Sequence, residues 1–409
     1  MAFNPLQERG IPFEQQVKNW DELNVDPYDK NEVHPYTRTR IILMNGIEVE
    51  AALFGHQFAR HAQDYALKQK LAQVRRIEQQ QQKLINWLIP ADESTLEVTI
   101  GYEQVAVDLT AWLARTEPDQ NVKDALDFAL IEDFDHLYRY ANLMGLIDGK
   151  DPARVVGELT EIFPGRPTVA EHHHPFDSIR NHYDKDKADL LTKLHVLTII
   201  AGEQQTMNFY VNVGNRPETT VSRGLYQEIA QIEEQHVSHY ESLADPRESW
   251  FERLLLHEYN ECYLYYSFLQ EEPDARIRDI WQNQLGCEIE HLHRAAEMLQ
   301  QYEGREAESL LPSAGFPERI QFQSNKNYVR DILASQIHLT ADGNMYKPVG
   351  TLPDSHRYFA WQRQVNVDGS APSQWVVEAH IDHQGQDYRL ETEGPHPVEE
   401  LRARETVGA

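Results

Sequence analysis

Residues 232–240 read IEEQHVSHY and place Glu233 and His236 three apart. Three residues is close to one helical turn, so both side chains leave the same face of a helix. A carboxylate and an imidazole so placed can reach one metal ion, or can stand as two polar groups on a wet surface. Alone, the spacing is common in so acidic a chain, and the rest of the sequence has to decide.

The chain has 409 residues, enough for two or three domains with sizeable cores. Charged residues make up 25% and hydrophobic ones 41%, as in soluble globular proteins. A formal net charge of −28 leaves no basic footprint for nucleic acid or an anionic membrane surface, so neither is an expected partner. Two cysteines, Cys262 and Cys287, can form neither a disulfide framework nor a Cys-rich zinc site, and are expected to be packing thiols. The opening MAFNPLQERGIPFEQQ lacks the plan of a signal peptide, and no apolar run approaches the ~20 residues that span a bilayer, so a cytoplasmic location is expected.

Helical periodicity runs over 37–145, in stretches such as VAVDLTAWLAR and LDFALIEDFDHLYRYANLM, and again over 187–303. Residues 1–36 read as an extended arm, and the Pro- and Gly-broken 146–186 as a connector with one short helix. A last helix is expected near 325–337 within the tail 304–409. The runs HRYFAWQRQVNVDG, SQWVVEAHID and DYRLETEG alternate and are rich in Val, Tyr and Trp, and predict a small β-meander there. His172, His173 and His174 lie in a Pro-flanked stretch; consecutive residues rarely converge on one ion, so a solvated loop is expected.

An internal repeat changes the weight of the opening motif. Glu203, Glu233, His236, Glu258, Glu288 and His291 correspond, at a fixed offset of 155, to Glu48, Glu78, Gln81, Glu103, Asp133 and His136. Around them Leu130, His136, Leu137, Arg139 and Ala141 equal Leu285, His291, Leu292, Arg294 and Ala296, and Phe54 equals Phe209. Coincidence among abundant acids is a poor account of one offset held over four helices, and the chain reads as a tandem duplication. In each copy the carboxylates are spaced 30, 25 and 30 residues apart. Thirty residues let a helix rise ~12–15 residues, turn and return to the same level, so four acids can face one bundle centre. Buried together they are costly unless a cation neutralises them. One Glu from each of two helices and Glu-x-x-His from the other two is the plan of carboxylate-bridged dimetal bundles. Oxygen and imidazole donors suit iron or manganese.

At this point the sequence resembles the ferritin-like superfamily, most closely its rubrerythrin branch. AGEQQTMNFY (201–210), IEEQHVSHY, HEYNECYLYY (257–266) and CEIEHLHRAAEML (287–299) are similar to that family's four helix motifs. The resemblance covers 187–303 well and 37–145 weakly. It implies an all-α fold: two tandem ferritin-like four-helix bundles, over 37–145 and 187–303, with a small β-containing C-terminal tail. It implies Glu203, Glu233, His236, Glu258, Glu261, Glu288 and His291 as ligands of two iron ions, manganese being possible. Glu261, one turn after Glu258, is the additional carboxylate that marks rubrerythrins. The activity implied is a di-iron oxidoreductase that reduces hydrogen peroxide or dioxygen. A di-iron oxygenase, a manganese catalase, and a non-catalytic metal-storage or binding bundle stay open beside it, as does a homo-oligomer.

The departures carry their own expectations. Rubrerythrins usually include a rubredoxin module with two Cys pairs; this chain has none, so a separate electron donor is implied. The 25-residue interval is tight for a long crossover, which leaves the helix order open. In the first copy, Gln81 replaces a histidine, Asp133 is a shortened glutamate, and Ala106 stands in the place of Glu261. Gly55 and Thr110 stand in the places of Tyr210 and Tyr265. A weaker or purely structural site made of Glu48, Glu78, Gln81, Glu103, Asp133 and His136 is therefore expected. Tyr210 and Tyr265 each follow a ligand glutamate by seven residues, two turns along one face, where with Glu261 they could serve catalysis or be ordinary core residues. His257 and His293 are expected at the surface or just outside the ligand shell.

Overall fold

The repeat reaches the helix starts. In the computed structural model, which describes residues 3–311, 315–366 and 370–403, eight long helices begin at side chains that accept from their own first turn. These are α1 (Pro35–His61), α2 (Tyr65–Asn86), α3 (Thr95–Thr116) and α4 (Gln120–Ile147) in the first half. In the second half they are α5 (Leu190–Val213), α6 (Thr220–Glu241), α7 (Trp250–Glu271) and α8 (Ala275–Glu303). Ser94 and Glu97 close a capping box on α3, and Ser249 and Glu252, 155 residues on, close the same box on α7. Asp119 and Asp274 cap α4 and α8 at the same offset. Each such cap is worth about 0.5–2 kcal/mol. The protein is mostly helical, and among the described residues no helix is long and apolar enough to cross a membrane.

Consecutive helices pair as hairpins: α1–α2, α3–α4, α5–α6 and α7–α8. Hairpins touch within each half, α1 on α3 and α5 on α7, but their buried polar faces close across the halves. Tyr265 of α7 donates to Glu48 of α1, and Gln81 of α2 donates to Glu288 of α8. Likewise Tyr210 of α5 donates to Glu103 of α3, and His236 of α6 lies 2.8 Å from Glu132 of α4. The contiguous sets 37–145 and 187–303 thus do not each enclose their own centre. Because the halves are alike, a hairpin meets the same kind of face whether its partner comes from its own half or the other. Periodicity fixes which face is apolar, and exchange of equivalent elements leaves it unchanged.

Helices α1 and α5 pack side by side between the two sets. The seam is polar and closed by amides: Asn45 Nδ2 donates to Gln205 Oε1 (2.5 Å), Gln82 Nε2 to Asn45 Oδ1 (2.7 Å) and Gln205 Nε2 to the Ile42 carbonyl (2.8 Å). Gly46 makes room for it, since a Cβ there would lie 2.8 Å from Gln205 Nε2.

The arm and connector wrap these helices. The arm is extended but carries single helical turns at Phe13–Gln16 and Trp20–Leu23. It is pinned to α8 by Ile11 N–H donating to the Gly286 carbonyl (2.7 Å). The connector carries two single turns, Ala153–Val156 and Thr168–Glu171, where one short helix is expected.

In the tail, α9 (Lys326–Gln336) falls where its helix is expected. The strands do not. A two-stranded antiparallel hairpin pairs β1 (Leu339–Asp342) with β2 (Met345–Pro348), ahead of the predicted meander. The first two predicted strands are instead α10 (Arg357–Val365) and α11 (Pro372–Gln384); residues 367–369 of the first lie outside the described residues. Pro372 pre-sets the first turn of α11, and its buried Ser373, Val376, Val377 and His380 follow helical spacing against α4 and α6. Tertiary packing has overridden the β preference of Val and Trp. The third run makes a single bridge, Leu390 to Ile162 of the connector.

Candidate metal centres

Two buried clusters form where the exchanged hairpins meet. Centre I lies among α1, α2, α7 and α8. There the ligand atoms of Glu78, Glu258, Glu288 and His291 are within 4.8 Å of one another, as are those of Glu48, Glu78, Glu261 and Glu288. The two groups share Glu78 and Glu288. His291 turns Nδ1 inward, 2.9 Å from Glu78 and 3.0 Å from Glu288. Its Nε2 lies 2.9 Å from Gln16 Oε1 of the arm, and Phe13 stacks on the ring at 5.2 Å.

Centre II lies among α3, α4, α5 and α6. Asp133, Glu203, Glu233 and His236 form one group, and Glu103, His136 and Glu233 a second that shares Glu233. The two oxygens of Glu233 face one imidazole each: His136 Nδ1 at 3.1 Å and His236 Nδ1 at 3.3 Å. His236 Nδ1 is also 3.2 Å from Asp133 and 3.6 Å from Glu203. The outer nitrogens rest on carboxylates, His136 Nε2 on Glu171 and His236 Nε2 on Glu132, both at 2.8 Å. Glu132 is held in turn by Arg166 at 2.6 Å.

These distances suit a shared ion. Ligand atoms ~2.0–2.2 Å from one metal and at right angles to each other are about 3 Å apart. Hydrogen bonds alone leave the clusters unsatisfied. Oxygens of Glu48, Glu78, Glu103, Glu233, Glu258 and Glu261, both oxygens of Asp133 and Glu203, and His236 Nδ1 are buried without a hydrogen-bond partner. At about 1–3 kcal/mol for each buried unsatisfied group, the sum is as large as the ~5–15 kcal/mol by which a protein is stable. A cation in each cluster would satisfy them together, and oxygen with imidazole is the donor set iron and manganese accept.

Burial and the neighbouring carboxylates push Glu48, Glu203, Glu258 and Glu261 well above the usual carboxylate range. Burial does the same to Glu103, partly offset by the charge of His136. At Glu233 burial also acts upward, but the hydrogen bonds and charges of His136 and His236 outweigh it and hold the group low. At Glu132 the Arg166 and His236 charges overcome burial and bring it to about 2.

The seven ligands expected together in the second half are therefore divided. Glu203, Glu233 and His236 stand in centre II; Glu258, Glu261, Glu288 and His291 stand in centre I. The six from the first half divide likewise: Glu48, Glu78 and Gln81 go to centre I, Glu103, Asp133 and His136 to centre II. The first copy is thus no separate weaker site, because its residues complete both centres. Gln81 brings a neutral amide to centre I: its Nε2 donates to Glu288 and its Oε1 is buried without a hydrogen-bond partner. Tyr210 and Tyr265 each donate to a carboxylate of the other half, Glu103 and Glu48.

Gln16, Glu132, Glu171 and Arg166 are missed by sequence reasoning, since none lies at ligand spacing. The one available signal for Glu132 is the acid pair it makes with Asp133. The histidine run is also corrected: His172 and His173 are buried, not solvated, and hold the segment that delivers Glu171. His172 Nε2 lies 3.1 Å from Glu228, and His173 Nδ1 2.9 Å from the Glu171 carbonyl. His257 is buried too, 2.9 Å from Glu50 and stacked on Phe54. Both cysteines are buried, and burial pushes Cys287 up to about 12, so they pack as neutral thiols. No protein-family model, curated protein or solved structure matches the chain.

Proposed function

We propose that this protein is a ferritin-like dimetal-carboxylate oxidoreductase that reduces hydrogen peroxide or dioxygen with electrons from a separate donor. The observation that carries the reading is the overlap of ligand groups: in each centre two sets of buried donors share carboxylates, as ions bridged by carboxylates require. Iron or manganese held there would supply one-electron steps at neutral pH. The chain's own residues supply the rest. Glu132 and Glu171 accept the Nε2 protons of His236 and His136 and so keep each Nδ1 lone pair on the centre. Tyr210 and Tyr265 each keep a hydroxyl proton aimed at a ligand carboxylate, Glu103 and Glu48, from which it can be passed to a reduced oxygen species. Burial of every ligand excludes bulky substrates and favours a diatomic or peroxide. A cavity of about 360 Å³ is walled in part by Tyr210, the residue that donates to Glu103 of centre II.

Elemental analysis and a peroxide assay test the reading. Purified protein is expected to carry iron or manganese in both centres and to consume peroxide only when a reductant is present. Protein that refolds and saturates with metal but shows no reductant-dependent turnover would leave metal storage as the function. Protein that binds neither metal would overturn the reading altogether.

A further inference from the structure

We infer that the two centres are built for different ions: centre II for iron, centre I for manganese. This rests on the dimetal reading and adds a division of labour to it. The donor sets differ at three places. The first is the pair Gln81 and His236, related by the repeat, which gives centre II two imidazoles and centre I one. The amide Nε2 of Gln81 is spent on Glu288, and its Oε1 is a weak neutral donor. The second is the pair Ala106 and Glu261, which gives centre I five carboxylates against four in centre II. The third is the outer contact of the imidazoles. His291 meets the neutral amide of Gln16, whereas His136 and His236 meet the carboxylates of Glu171 and Glu132.

All three act in one direction. Carboxylate oxygen is the donor manganese takes, while imidazole nitrogen favours the later ions of the series. A carboxylate on the far nitrogen makes an imidazole a stronger donor, and such outer contacts are worth about 10–100-fold in metal affinity. Centre II therefore has more nitrogen donors and more strongly donating ones. Every ligand carboxylate of centre I except Glu288 keeps an oxygen free of hydrogen bonds.

The test uses Co²⁺ as an air-stable stand-in for Fe²⁺, in competition with Mn²⁺. Glu288→Ala leaves centre II intact, and Glu233→Ala leaves centre I. Each metal-free variant is equilibrated with equal, limiting Mn²⁺ and Co²⁺, desalted and analysed, with manganese EPR and cobalt visible absorption as independent readouts. The Co:Mn ratio is expected to be larger in Glu288→Ala by about tenfold or more. Adding Gln81→His to Glu233→Ala should move the ratio at centre I toward cobalt. The same ratio at both centres, or the reverse order, overturns the inference and leaves the dimetal reading standing. Binding of neither ion overturns both. Should either variant lose its helical circular dichroism, anomalous scattering at the manganese and cobalt edges from crystals of the unmutated protein reads the two ratios directly.

Discussion

Glu132 is the residue at which structure and metal binding separate most cleanly. Its two oxygens are both used, Oε1 by Arg166 at 2.6 Å and Oε2 by His236 at 2.8 Å, and all three side chains are at most 3% exposed. Glu132→Ala leaves a buried guanidinium without its anion, which costs about 3–5 kcal/mol. Glu132→Gln keeps one acceptor and loses the charge, for about 1–3 kcal/mol. Both variants also release His236 from the contact that keeps Nδ1 on centre II. That is expected to weaken metal binding there by about 10–100-fold, or about 1.4–2.7 kcal/mol. A paired variant divides the two effects. Glu132→Met with Arg166→Met removes the ion pair without stranding the guanidinium, so metal-free stability should fall less than in Glu132→Ala, while affinity should fall as in the single variants. Urea unfolding of metal-free protein gives the first quantity, and chelator competition with Co²⁺ gives the second. Full affinity in the paired variant would refute the reasoning, because Glu132 would then be a counter-ion for Arg166 and nothing more.

Metal-free protein is expected to lose stability as pH rises. Glu48, Glu203 and Glu258 titrate above their ordinary 4.5, and His136, His236 and His291 above 6.5. The folded state therefore holds more protons than the unfolded one from pH 4.5 upward, and stability falls through that window; Glu233 and Glu132, held low, act oppositely only beneath it. Urea midpoints at pH 5.5 and 8 check the sign, and saturating metal should remove the decline. Tyr265→Phe strands the Glu48 oxygen it donates to and should cost about 1–3 kcal/mol in metal-free protein, less with metal bound, by the same urea assay. Gly10→Ala should unseat the arm, since a Cβ there would lie 2.5 Å from the Glu290 backbone nitrogen. A cost of about 1–3 kcal/mol is expected, with faster proteolysis ahead of Gln16.

Much of the candidate site was legible because ligands must recur at helical spacing on buried faces. The offset of 155 found every residue that lines the two clusters except Glu261, whose counterpart is Ala106, and the caps of α3, α4, α7 and α8 obey it too. Their assortment was not legible. Glu233 and Glu288 belong to one half and read as one centre, yet they stand in two, because equivalent hairpins present equivalent faces and nothing local distinguishes the exchange. Gln16 and Glu171 were hidden for another reason: each comes from a single turn in an irregular segment, placed by contacts such as Ile11 to Gly286 and His172 to Glu228. The tail misread as strands shows the usual conflict, in which Val376 and Val377 are β-branched but bury a helical face.

The central claim is that each half supplies one hairpin to each centre, and metal content tests it most directly. Glu233 and Glu288 are both second-half residues, 55 positions apart. The account predicts that Glu233→Ala and Glu288→Ala each lose about half of the bound metal, and that the double variant loses all of it. If either single variant loses all the metal, or the double loses no more than a single, both residues serve one centre and the exchange is wrong.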